Sequence, residues 1–554
     1  MRKSFFALLL VIACCLTACF ALADGSCGAN LTWSLSSSGI LTISGSGDMM
    51  DCSYGKAPWA DNRESIQSVV VEDGVTSIGD DAFYWCRELK TVQLPESLTS
   101  LGDQAFENCS ELLSVNIPSN VTSIGSWTFY GCEKLASLTL PEGLTSIEDL
   151  AFCDCESLRE LTIPASVTFI DDDRVFMGCQ KLEEIVVAES NPSYTSVDGV
   201  LYNYDQTTLL CYPGGKADAS YTVPESVTSI NKYGFYWNER VQSISVPGTV
   251  KTIGSDVFAG CSKLTKLVLS EGIESIDSTA FFRASSLTSI SFPASLVSLG
   301  DDMFESCDAL TSLNVAEGST TYAAVDGILF NFDKTTLIAY PAGIKKPAYV
   351  VPDSVTTIGD YAFLYNDSIV SITLPDSLVT IGQSAFSGCK KISSIQFPRN
   401  LTTIDDHAFS SCDGLINVTI PANVYVLGNG AFNWCRNLVS VTIENPSVSF
   451  DDWGVFDYCN NGLTLTGIAG STTETHAKKE EIPFVAKTFD QAGNDNASSN
   501  SWTCSGCGTT MDGGKFCSEC GAAKPEGQKC SNCGYVVEAG KTMKFCPECG
   551  TKFK

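Results

Sequence analysis

The chain has 554 residues, with 34 Lys or Arg against 64 Asp or Glu and a formal net charge of −30. So acidic a chain lacks the basic face that phosphate binding demands, which argues against nucleic-acid and anionic-membrane partners. Two histidines leave little material for a His-centred catalytic or metal site, and 44% hydrophobic residues exclude a wholly disordered chain.

Arg2 and Lys3 open an apolar run from Phe5 to Ala23, which ends in Ala21-Leu22-Ala23 before Asp24. A basic start, an apolar stretch and an Ala-x-Ala site predict an export leader over residues 1–23, cleaved after Ala23. Two alternatives stay open. Leu16-Thr17-Ala18-Cys19 has the pattern of a bacterial lipobox, which would lipidate Cys19, and the 19-residue run is long enough for an uncleaved membrane anchor. All three readings place the rest of the chain outside the cytoplasm, secreted or attached to the cell surface. No later stretch is apolar enough to span a bilayer, so no membrane span is expected in the mature chain.

Residues 24–65 read as an N-terminal β-hairpin cap, running from Cys27 through Trp33 to Gly45 with Ser36 to Gly39 as its turn. Residues 66–489 repeat. A phenylalanine after a small or apolar residue recurs at Phe83, Phe106, Phe129, Phe152, Phe176, Phe235, Phe258, Phe281, Phe304, Phe363, Phe386, Phe409, Phe432 and Phe456. The steps are 23 residues, twice 24 and twice 59, the last being one unit plus 36 residues. Each unit alternates as Val92, Gln93 and Leu94 do, the period of a strand with one buried face, and usually ends that strand at a Pro such as Pro95. One unit cannot bury such a face alone, but copies stacked on one another share a core. Fourteen coils about 4.8 Å apart would make a rod on the order of 65 Å long.

The Val-Thr-Ser-Ile-Gly, Ala-Phe-x-x-Cys and Leu-x-x-Val-x-Leu-Pro blocks resemble the BspA-like leucine-rich repeat family of bacterial surface proteins, over roughly residues 26–489. The cap from Cys27 to Gly45 and the segment from Gly470 to Phe484 are similar to that family's ends. The resemblance implies a surface-exposed, adhesive solenoid.

Of 26 cysteines, fifteen lie between Cys27 and Cys459. Eleven of these follow the repeat Phe by three places: Cys86, Cys109, Cys132, Cys155, Cys179, Cys261, Cys307, Cys389, Cys412, Cys435 and Cys459. Asn238, Ala284 and Asn366 hold the place in the remaining units. Cys and Asn are both small and able to hydrogen-bond a bending backbone, so structural thiols are expected. A disulfide ladder is the competing reading, but equivalent side chains on stacked coils run parallel, and the five from Cys86 to Cys179 cannot pair completely. A Cys27–Cys52 disulfide in the cap stays open. Cys153 and Cys211 have no evident role.

Two insertions, about residues 190–222 and 318–350, match at an offset of 128, Val197-Asp198-Gly199-Val200 against Val325-Asp326-Gly327-Ile328. Each reads as a hairpin leaving the solenoid. Outward strand positions are small and polar (Thr91 and Gln93, Ser114 and Asn116, Ser137 and Thr139, Ser289 and Ser291, Ser394 and Gln396, Asn417 and Thr419) and offer a docking strip or simply a soluble face. The aromatics beside the repeat Phe (Tyr84, Trp85, Tyr236, Trp237, Tyr365, Trp434, Tyr458) are expected to pack on caps and hairpins. Acid pairs such as Asp80-Asp81, Asp301-Asp302 and Asp405-Asp406 read as a solvated rim. Neither His407 nor His476 has a nucleophile or acid at motif spacing, so no catalytic residue is assigned.

After a linker over residues 490–502, residues 503–554 carry four C-x-x-C-G knuckles: Cys504 and Cys507, Cys517 and Cys520, Cys530 and Cys533, Cys546 and Cys549. Tetrahedral zinc takes four thiolates, and each knuckle presents two on one bend. The spacing resembles a double zinc-ribbon module, which implies two structural Zn²⁺ sites, with iron and four disulfides as the competing readings. The expected fold is mostly β: a leucine-rich-repeat solenoid of about 14 coils with two inserted hairpins, then tandem small zinc ribbons. The expected function is non-enzymatic binding, by a monomer, of protein or glycan on host or neighbouring cells. The alternative is an envelope-associated enzyme or assembly factor acting through the inserted hairpins.

Overall fold

The structure is a computed structural model that describes residues 21–171, 174–450, 454–487, 501–503 and 510–512. The chain forms two compact units, Met1–Lys487 and Thr488–Lys554. The first opens with three antiparallel strands, β1 (Ala21–Ser26), β2 (Leu31–Ser36) and β3 (Ile40–Gly45). Alternation does what it should: Leu31, Trp33 and Leu35 are buried on β2, while Thr32 and Ser34 are exposed. Gly39, at φ 78°, closes the expected turn with its N–H on the Ser36 carbonyl at 3.0 Å. Ala21 and Ala23, inside the expected leader, pair with Ser36 and Leu35. β3 then pairs in parallel with Ser68–Val71 and hands the sheet over to the repeats.

Each coil contributes a long strand, a short strand and a turn that carries the ring. Because the period is 23 residues, like opposes like: Ser137 faces Ser114, Leu138 faces Val115, and Ile147 faces Ile124. The rings superpose in the same way, Phe83 on Phe106 at 5.1 Å, Phe106 on Phe129 at 5.6 Å and Phe129 on Phe152 at 5.9 Å between centroids. The last two pairs are parallel to within 4°. Burying such rings supplies much of the drive to stack.

The solenoid has about 18 turns, so the expected count of about 14 is too low. Counting by phenylalanine missed coils whose ring is of another kind. Trp59 heads the column, 5.5 Å from Phe83, and Tyr212 and Tyr340 stand in it 5.0 Å from Phe235 and 4.9 Å from Phe363. The inserted hairpins are present, Tyr194–Val197 with Val200–Asn203 and Tyr322–Val325 with Ile328–Asn331. Asp198 and Gly199 both adopt positive φ, 49° and 77°, as a two-residue hairpin turn requires. The strand after each hairpin stays within the solenoid. Thr208–Cys211 pairs in parallel with Ser229–Ile230, and Thr336–Ala339 with Thr357–Ile358, completing a coil.

The repeat pattern does not anticipate a helix near the closing end. There α1 (Thr472–Lys479) lies between strands Thr464–Gly467 and Phe484–Ala486. Ser471 caps it by accepting from the Glu474 N–H at 3.3 Å, while Glu474 accepts from the Gly470 N–H at 2.7 Å. In the second unit, Ser501–Thr503 pairs antiparallel with Thr510–Asp512. The eight knuckle cysteines, Cys504 to Cys549, lie outside the described residues, as do residues 1–20 of the expected leader. Among the described residues, no helix is long and apolar enough to cross a membrane.

Candidate functional site

Within each run of paired long strands the outward residues form one surface. Thr91, Gln93, Ser114, Asn116, Ser137 and Thr139 are all exposed, as are Ser289, Ser291, Ser394, Gln396, Asn417 and Thr419. They fall into registered columns: Thr91 beside Ser114 and Ser137, Ser371 beside Ser394, Asn417 beside Ser440. Some satisfy each other, as Thr91 Oγ1 does by donating to Ser68 Oγ at 2.9 Å. The strip is less uniform than the expected uncharged face. Glu160 sits directly beside Glu184, Lys266 stands beside Ser243, and Val186, Val268 and Val350 are 42%, 39% and 68% exposed. Aligning every coil, including those flanking the insertions, would have found them. The arrangement is a hydrogen-bonding β-face with isolated charges and exposed apolar side chains.

The cysteine column lies inside the molecule. All fifteen described cysteines are free thiols, Cys27 and Cys52 included. In ten of them, from Cys109 to Cys459, Sγ donates to the carbonyl of the Phe one coil earlier at 3.1–3.3 Å. Burial pushes the thiols of Cys86, Cys261 and Cys389 up to about 12, which keeps them unreactive. Asn238 follows the first insertion, and the longer side chain reaches two ways. Its Nδ2 donates to Pro213 O at 2.9 Å, and its Oδ1 accepts from the Arg240 and Val241 N–H groups.

The acids form a column of their own. Asp80, Asp103, Asp360 and Asp406 each accept a backbone N–H from the next coil, at 2.7–2.8 Å. That role explains their repetition without a cation or acid–base chemistry. Among the described residues, no cluster of three or more His, Cys, Asp or Glu could hold a metal ion. Asp302 differs: burial first, then Glu305 and Asp301, push its carboxyl up to about 7. His407 is exposed on a turn at φ 52°. His476 is buried in α1 against Phe450, ring centroids 4.1 Å apart, and burial lowers its pKa. The aromatics near the ring column divide. Tyr84 packs on Tyr54 of the cap at 4.4 Å, and Trp237 lies over Gly260, where a Cβ would come within 2.8 Å of the indole. Tyr365 and Tyr458 are instead 50% and 66% exposed.

The BspA type leucine rich repeat region family matches residues 61–183, 217–324 and 345–462, in six copies. The first gap holds the first inserted hairpin, and the second hairpin runs from Tyr322, at the end of the second span, into the second gap. Among solved structures, the chain is similar to a leucine-rich repeat protein from Eubacterium ventriosum, with 28% identity, a TM-score of 0.48, and 71% of this chain and 95% of that one covered. A leucine rich cell surface protein from Faecalibacterium prausnitzii is 22% identical with a TM-score of 0.41, over 85% of this chain and all of that one. The pneumococcal vaccine antigen PcpA is 16% identical with a TM-score of 0.38, over 84% and 99%. No curated protein matches.

Proposed function

This chain belongs to the BspA-type leucine-rich repeat proteins, and from that premise we propose an extracellular or cell-surface, non-enzymatic protein that binds protein partners along its outward β-face, as an adhesin does. The outward strip between Thr91 and Thr419, registered in sections, is the observation that carries this reading. It offers backbone-spaced hydroxyls and amides to an extended polypeptide or a flat protein surface. It lacks the aromatic faces that would stack on sugar rings, so protein is the favoured partner class over glycan. Export follows from the leader pattern of residues 1–23.

We propose two structural zinc sites in the tail, drawn from Cys504, Cys507, Cys517, Cys520, Cys530, Cys533, Cys546 and Cys549, with consecutive knuckles sharing a metal as the simplest pairing. The donor set fits in kind: eight cysteines in four C-x-x-C-G motifs, the first motif falling in sequence between the paired strands Ser501–Thr503 and Thr510–Asp512. Thiolate-bound zinc supplies folding energy to segments too short for a core.

Ser114→Arg, Ser137→Arg and Asn417→Arg in one chain would raise bulk and charge on the strip while leaving the core untouched. Binding of that chain to intact host or neighbouring cells should fall at least tenfold against wild type, with unchanged melting. Unchanged binding would remove the strip from the function. For the tail, protein isolated without added metal should carry two zinc per chain, and a metal-free, disulfide-bonded tail would end that assignment.

A further inference from the structure

The body is one fold but not one core. Its buried apolar residues form three clusters, Cys27 to Leu201, Val200 to Ala339, and Ile328 to Ala477. The ring column breaks at the same two places. Phe176 stacks back on Phe152 at 6.2 Å and Tyr212 forward on Phe235, but among the described residues no ring contact joins Phe176 to Tyr212. Phe304 likewise stacks back on Phe281 at 6.0 Å and Tyr340 forward on Phe363, with none between Phe304 and Tyr340. Phe176 and Phe304 are only half-buried, whereas rings inside the blocks, such as Phe129 and Phe258, are fully enclosed.

Each gap holds a cleft. One of about 30 Å³ lies among Phe176, Cys179, Cys211 and Tyr212, and one of about 50 Å³ among Asp302, Phe304, Tyr340 and Tyr361. Both clefts are partly open to solvent, so the coils on either side forfeit part of the dispersion contact that close packing gives inside a block. The second wall also carries the Asp302 carboxyl, whose buried Oδ1 has no partner among the described residues.

The inserted hairpin is the element that crosses each seam. Alternation along one strand splits its side chains between two cores: Val200 and Tyr202 join the middle cluster, while Leu201 joins the first. At the second seam Ile328 and Phe330 join the last cluster, and Leu329 the middle one. A few backbone bonds accompany them, Ile185 N–H to Gly199 O at 2.9 Å and Gly215 N–H to Leu182 O at 2.8 Å, then Leu313 N–H to Gly327 O at 2.9 Å and Gly343 N–H to Leu310 O at 2.7 Å.

We propose that the body is built as three cooperative blocks hinged at two seams, with Leu201 and Leu329 as the couplers, so that it yields at the seams before any block melts. Repeat proteins unfold where the interface between neighbours is weakest, and both seams combine a broken stack with a cleft partly open to solvent. A surface-attached chain with such seams can bend or extend under load while each block keeps its binding face intact.

Pulling single molecules of the full chain from its two ends tests this. Three principal unfolding events are expected. The middle one should release the 129 residues from Leu201 to Leu329, or about 46 nm of chain at ~3.6 Å per residue before the folded length is subtracted. A train of equal steps of 23 residues, about 8 nm each, or a single event for the whole body, would overturn the proposal. Leu201→Ala with Leu329→Ala should speed hydrogen exchange at the Ile185 and Leu313 amides at least tenfold and leave amides at Phe129 and Phe258 unchanged. Exchange that rises evenly along the body, or that does not change at the seams, counts against it.

Discussion

At the scale of single residues, two kinds of side chain set the interior. Inside a block, the ring at each turn is held above and below by its counterparts. Phe129, fully buried between Phe106 and Phe152, should therefore cost about 3–5 kcal/mol on replacement by Ala, read as a lower urea midpoint. A loss under 1 kcal/mol would mean the column collapses freely around a missing ring. The cysteines act through hydrogen bonding and burial, and this has a pH consequence. Below about pH 9 these thiols are protonated whether the chain is folded or not. From there to about 12 the unfolded chain sheds protons that buried Cys86, Cys261 and Cys389 retain, so stability must fall as pH rises. Melting temperature should be level up to pH 8 and drop steadily above 9. A level profile to pH 11 would place the thiols in water.

At the scale of elements, the strand and its outward face were legible because a period of two leaves no choice of side: Val115 and Leu138 must point in if Ser114 and Ser137 point out. The rings of the extra coils were legible too, though only to a search for any aromatic. Tyr212 stands 23 residues before Phe235 and Tyr340 23 before Phe363, the repeat's own step. The helix α1 could have been read from Ser471 and Glu474, a capping box at its N-terminus. The seams could not, because a cleft depends on how two coils seat against each other and leaves no trace in either. Asn238 shows how a coil beside a seam adapts: with Pro213 O in place of a Phe carbonyl, an amide spans what a thiol does not. Asn238→Ala strands the Arg240 and Val241 N–H groups and should cost about 1–3 kcal/mol by denaturant titration, while the first block keeps its stability. An unaltered titration would show that water replaces the amide.

At the scale of the whole molecule, stacking turns a modest local pattern into a long registered face, and membership of the family follows from that pattern. The acidic surface fits the same picture, since Asp80, Asp103, Asp360 and Asp406 tie one coil to the next and leave the outward strip mostly to hydroxyls and amides. Every functional statement depends on the coils being piled in one register. Crystallographic determination of the chain measures that register directly, through the separation of consecutive rings. Phe83, Phe106, Phe129 and Phe152 should stand buried in one column that the half-buried Phe176 ends, with centroids 5.1, 5.6, 5.9 and 6.2 Å apart. Rings more than about 10 Å apart, or turned into solvent, would contradict it, since the contact distances of aromatic pairs end near 7 Å.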